Sequence, residues 1–116
     1  MKNFLAIYLG TPAAMAAWSS LPEAVKSERQ AAGMKAWHEW ADRNKSRIAE
    51  MGGPLGKTKK VSKAGAADVR NDMTAFTVVR AESHEEAAKL FVNHPHFTIF
   101  PGDAVEIMEV LPIPGN

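Results

Sequence analysis

The sequence predicts an α+β fold of the ferredoxin-like kind, βαββαβ, with a four-stranded antiparallel sheet covered by helices on one face. Three observations lead there. Residues 3–9 and 73–81 are short runs of β-branched, aliphatic and aromatic side chains, apolar on both faces. Between them lies a long segment whose apolar residues recur at helical spacing. After the second run, a capped helix precedes one more apolar strand at residues 104–111.

The elements follow in chain order. In residues 3–9, Phe4, Ala6 and Tyr8 point one way while Leu5, Ile7 and Leu9 point the other. Such a strand belongs inside a sheet with cover on both sides. Residues 1–17 also have a basic start, an apolar run and an Ala-Met-Ala sequence, the outline of a signal peptide. Gly10-Thr11-Pro12 cuts that run short, and Thr11 with Pro12 suits a helix N-cap and first turn, so a retained strand is expected. Helix is predicted over residues 11–51, with a break near Ser19-Ser20-Leu21-Pro22 where Ser20 and Glu23 match a capping box. Met34, Trp37, Ala41, Asn44, Ile48 and Met51 give its mostly apolar stripe. Gly52-Gly53-Pro54 is read as its stop.

Residues 55–62 read as a lysine-rich strand at an edge or solvated face, and residues 63–72 as a loop. Residues 73–81 are the second strand, with β-branched and aromatic residues on both faces. Ser83 and Glu86 form another capping box, opening a helix whose apolar side is Ala87, Ala88, Leu90, Phe91 and Val92. Pro112 and Pro114 follow the last strand. Helices on one face leave strands that are apolar on both faces half covered. A second copy of the chain, sheet against sheet, is the simplest cover, so a homodimer is expected.

Totals narrow the function classes. At 116 residues the chain fits one domain. Its 14 basic and 13 acidic residues leave a formal charge of +1, which makes no case for a nucleic-acid or anionic-membrane partner. No apolar run approaches the ~20 residues that span a bilayer. Cysteine is absent, which excludes disulfides, thiolate metal sites and cysteine nucleophiles and fits a cytoplasmic setting. No Gly-rich phosphate loop follows a strand and no Gly-x-Ser-x-Gly motif is present, so no cofactor is expected.

Several side chains are candidates for chemistry. His38 and Asp42 lie four apart on one helix face, where a carboxylate can orient an imidazole as a base, or simply pair with it at the surface. Trp37 and Trp40 suit either the wall of a small-molecule cleft or plain packing. In "NHPHFTIFPGD", His94 and His96 are two apart and could share a metal in extended chain. Nothing in the spacing supplies a third ligand, so the segment reads first as a turn into the last strand and no metal is expected. Glu106 and Glu109 face opposite sides of their strand, with Arg80 a candidate partner on the neighbouring one.

Four stretches carry a family resemblance: "MKNFLAIYLG", "GGPLG" at residues 52–56, "AESHEEAAKLFVNHPHF" at 81–97 and "GDAVEIMEVLPI" at 102–113. Through them the chain resembles the YCII-related family of the dimeric α-β barrel superfamily. The resemblance implies a dimeric barrel with a cleft between helix and sheet. In some members a histidine and an aspartate lining that cleft have been thought enzymatic. His38 falls in roughly the right region, a few residues out of register. Glu50 and Met51 stand where the aspartate would be expected, and the Asp-Gly-Pro-Phe motif of some relatives is missing.

The combined expectation is a homodimer that binds a small organic molecule in a helix-sheet cleft. His38 acts as base, Asp42 orients it and His96 makes a second polar contact, with Trp37, Trp40, His94 and Phe97 against the ligand. The alternative is a non-enzymatic accessory or regulatory subunit in which the same aromatics pack an interface.

Overall fold

Alternating side chains between Lys2 and Leu9 build β1 (Lys2–Leu9), and the computed structural model, which describes residues 1–115, sets this strand inside a four-stranded sheet. The other elements are α1 (Pro12–Ser19), α2 (Glu23–Arg43), β2 (Ile48–Pro54), β3 (Thr58–Ser62), β4 (Gly65–Val69), β5 (Met73–Ala81), α3 (His84–Lys89), α4 (Pro95–Thr98) and β6 (Ala104–Glu109). Strand order is β2-β5-β1-β6 with antiparallel neighbours throughout, and β3 pairs with β4 as a separate hairpin. This is the predicted ferredoxin-like arrangement with a hairpin inserted between its second and third strands.

Register sorts the faces. Phe4 lies opposite Val79 and Ala6 opposite Thr77, so these four share the helix-covered face and all are buried. Trp40 of α2, Ala87 of α3 and Phe91 complete the core. Each large side chain sealed there contributes on the order of 1.5–3 kcal/mol of transfer free energy. The Trp40 indole donates from Nε1 to the Leu90 carbonyl at 2.6 Å, tying α2 to the segment after α3. An Arg47–Glu86 ion pair joins the turn after α2 to α3. The opposite face carries Leu5, Ile7, Phe76 and Val78, all half-buried, with no helix of the described residues packed over them.

Caps behave unevenly. Thr11 accepts from the Ala14 amide at 3.3 Å, and Ser83 accepts from Glu86 at 3.1 Å, as the sequence implies. Ser20 does not cap α2: its hydroxyl donates to the Ala17 carbonyl, and Pro22 begins the helix without a side-chain cap.

The middle of the chain departs most from expectation. α2 ends at Arg43, where Asn44 donates its side-chain amide to the Trp40 carbonyl at 2.8 Å. Ile48 then opens β2 opposite Val79, so the sheet's strand in this region is Ile48–Pro54 and not residues 55–62. Gly52-Gly53-Pro54 therefore lies inside that strand and is no helix stop. The stretch 63–72, expected as a loop, contains β4, because a tight turn at Lys63-Ala64 with Gly65 at φ +105° folds β4 back on β3. Arg80 cannot reach the glutamates of β6, since β1 runs between β5 and β6. Glu109 instead lies 3.9 Å from Lys2. Among the described residues no helix is long and apolar enough to cross a membrane.

Candidate functional site

A cleft of about 380 Å³ opens between α2 and one end of the sheet. Trp37, Met34 and His38 of α2 form one wall, and Tyr8, Phe76 and Thr77 of the sheet form the other. His96 and Phe100 close the back, and the backbone from Met51 to Pro54 forms the rim.

That rim exists because β2 is bulged. Its register against β5 shifts on either side of Glu50, and Gly52 takes φ +68°. A Cβ on Gly52 would lie 2.0 Å from the Phe76 carbonyl oxygen, so only glycine fits. The displaced backbone lets the Met51 carbonyl accept from the Thr77 hydroxyl at 3.0 Å. With its own hydrogen committed, Thr77 accepts the Tyr8 O–H at 3.0 Å. Burial pushes the Tyr8 phenol up to about 12, the Thr77 hydrogen bond pulling weakly the other way, so Tyr8 stays neutral.

His96 is placed by a chain of local devices. Asn93, at φ 59°, turns the chain after α3, and Pro95 begins α4. His94 is the N-cap: its Nδ1 accepts from the His96 amide at 3.0 Å. The His96 side chain then donates from Nε2 to the Leu9 carbonyl at 2.8 Å, with Gly102 packed on the ring where a Cβ would come within 2.2 Å of Nε2. The same Leu9 carbonyl accepts from the Asp103 amide at 2.9 Å, and Asp103 accepts from the Thr11 amide at 2.6 Å. Because Nε2 is the donor, Nδ1 carries the ring's free lone pair, and no described residue hydrogen-bonds it.

Burial lowers the His96 pKa, with the Leu9 carbonyl and the Asp103 charge pulling it partly back. His94 is fully buried and pulled down to about 3 by burial first and by His96 second. It packs edge-to-face against Trp37 and Trp40 at ring separations of 4.5 and 4.6 Å, and its Nε2 has no hydrogen-bond partner among the described residues. Both imidazoles are thus neutral at pH 7. Among the described residues no lysine, arginine, aspartate or glutamate lines the cleft.

No protein-family model matches this chain, and no curated protein matches it in sequence. Among solved structures it is similar to 5-chloro-2-hydroxyhydroquinone dehydrochlorinase (TftG) from Burkholderia phenoliruptrix AC1100, in complex with 2,5-dihydroxybenzoquinone. The match covers 91% of this chain and 90% of that one at 20% identity, with a TM-score of 0.52. The chain has the subunit fold of the dimeric α-β barrels.

Of the residues singled out in the sequence, His38, His96 and Trp37 meet on the cleft. Asp42 is exposed one turn beyond His38, and among the described residues no hydrogen bond or ion pair joins the two. Trp40 and His94 lie in the core behind Trp37, and Phe97 points to solvent. Among the described residues no group of three or more potential metal ligands comes together. The sequence reading left out Tyr8, Thr77 and Phe100. A signal for Tyr8 did exist: a tyrosine on the core face of a central strand needs a buried hydroxyl partner, and β5 supplies threonines.

Proposed function

We propose that this is a YCII-related homodimeric protein that binds an uncharged small organic molecule with an acidic hydroxyl in the α2–sheet cleft, His96 Nδ1 taking the proton. One observation carries the reading: the His96 ring is locked from behind with Nδ1 left free, in a cleft whose other lining, apart from His38 and the paired Tyr8 and Thr77 hydroxyls, is apolar side chains and glycine. A ligand bearing a carboxylate or phosphate would lose its hydration without finding a cation, which disfavours charged ligands strongly. Trp37 and Phe100 offer flat faces to a planar molecule.

The chemistry follows from the hydrogen bonds. The ligand O–H bond breaks as Nδ1–H forms, and the resulting imidazolium keeps its Nε2–H on the Leu9 carbonyl with Asp103 nearby. Burial keeps the free base populated at neutral pH and disfavours the imidazolium, a cost that the Leu9 carbonyl and the Asp103 charge partly offset. His38, at the rim, is the second proton-handling group. The solved complex of TftG with 2,5-dihydroxybenzoquinone adds support at the level of the fold. A second copy laid on Leu5, Ile7, Phe76 and Val78 would cover the open sheet face, which supports the homodimer.

Thermal shift with paired probes tests the reading, using uncharged hydroxylated aromatics and their carboxylated analogues. Uncharged probes should raise the melting temperature, and His96→Gln should abolish that rise. Equal stabilisation by the carboxylated set, or full binding by His96→Gln, would sink it. Turnover of a hit separates an enzyme from an accessory binding subunit.

A further inference from the structure

The β3–β4 hairpin has little holding it. It continues the β2–β5 pair beyond Pro54 and Met73, and every residue from Lys59 to Asp68 is exposed. Val61 on this ribbon is 80% exposed. A two-stranded ribbon in water is marginal by itself. Its ladder from Thr58–Val69 to Ser62–Gly65 is reinforced by a solvated Lys59–Asp68 pair at 2.7 Å, the kind of contact that adds little.

Charge is also divided between the ribbon and the rest of the chain. Residues 55–72 hold five basic and two acidic side chains, whereas the remainder holds nine basic and eleven acidic. Lys57, Lys60, Lys63 and Arg70 have no ion pair among the described residues. On the open face of the sheet, Glu50 of β2 and Glu106 of β6 are exposed and likewise without a cationic partner among the described residues. β2 and β6 are the two edge strands, so these carboxylates stand on opposite rims of the apolar strip between them.

We propose that the hairpin is an arm that grips a second copy of this chain, setting its unpaired cations against that copy's Glu50 and Glu106. The proposal rests on the face-to-face homodimer described above. The arm springs from the end of the same sheet whose open face meets the partner, so it projects past its own subunit toward the partner's rim. Opposite charge at that rim steers and registers the two copies, while the apolar strip supplies the bulk of the association.

Sedimentation over a range of concentrations and salt tests this on the full chain. The triple variant Lys57→Glu, Lys60→Glu, Lys63→Glu should weaken the dimer about tenfold and reverse its salt dependence. Adding Glu50→Lys and Glu106→Lys to that variant should restore dimerisation, since every copy then carries both swapped surfaces. Circular dichroism verifies the fold of each. Unchanged association in the triple variant, or no recovery in the swapped one, overturns the arm while leaving the dimer standing. So does unchanged association with arm-dependent retention of a DNA oligonucleotide. A wild-type chain monomeric at every concentration overturns the dimer itself, and the arm with it.

Discussion

The Nε2 of His96 donates to the main-chain carbonyl of Leu9 at 2.8 Å, and that bond leaves Nδ1 as the proton-accepting nitrogen. The ring is kept there by Gly102, the only residue type that can pack so closely on it.

Gly102→Ala is accordingly expected to damage the site more than the fold. A methyl 2.2 Å from Nε2 must displace the imidazole or the Pro101–Asp103 turn. Overpacking of this kind costs about 1–3 kcal/mol. Binding of a probe found with wild type should fall by about tenfold or more, beyond what the loss of stability explains. Isothermal titration well below the variant's melting temperature checks this, and unchanged affinity would contradict it.

The pH profile of stability should have two limbs. His94 is pulled down to about 3 from 6.5, so the unfolded chain binds more protons between these values. Stability is full above pH 6.5 and is lost as pH falls from there toward 3. His96 adds in the same direction. Tyr8 is raised from 10.0 to about 12, so its contribution is complete below pH 10 and disappears as pH rises through 12. Urea unfolding across pH should show both limbs. His94→Asn, which keeps an acceptor at the N-cap, should flatten the acid limb, and Tyr8→Phe should remove the alkaline one.

The neighbouring tryptophans should separate by phenotype. Trp40 is buried and bonded to Leu90, so Trp40→Ala should cost about 3–5 kcal/mol and prevent folding near its melting point. Trp37 is half-buried with one face on the cleft, so Trp37→Ala should cost less stability and more ligand affinity. Paired melting and binding curves decide the matter. Equal losses of stability would break the distinction.

Two adjacent glycines provide an internal control. Gly52→Ala forces a Cβ 2.0 Å from the Phe76 carbonyl oxygen at positive φ, and should destabilise by about 2 kcal/mol or more. A Cβ on Gly53 would meet nothing within 4 Å, so Gly53→Ala should be nearly neutral. Chemical denaturation of both variants measures the contrast.

Much of the architecture was legible in residue order. Alternation in β1 and β5 identified central strands, because a strand's side chains must alternate, while which side of β1 would be sealed by helices came only from the fold. Thr11-Pro12 and Ser83 marked helix starts, since capping is a contact within a few residues. The place of Trp37 on the apolar stripe of α2 followed from helical spacing. Ile48 and Met51 misled because their positions continue a helical stripe and also suit a short strand. Only pairing with β5 chose between the two. The same holds for "NHPHFTIFPGD": its spacing shows two histidines, but not that one caps a turn in the core while the other bonds a carbonyl 87 residues away. Local periodicity and capping act over a few residues and are written in the sequence. The bulge, the arm and the free nitrogen of His96 depend on partners brought close only by the folded sheet.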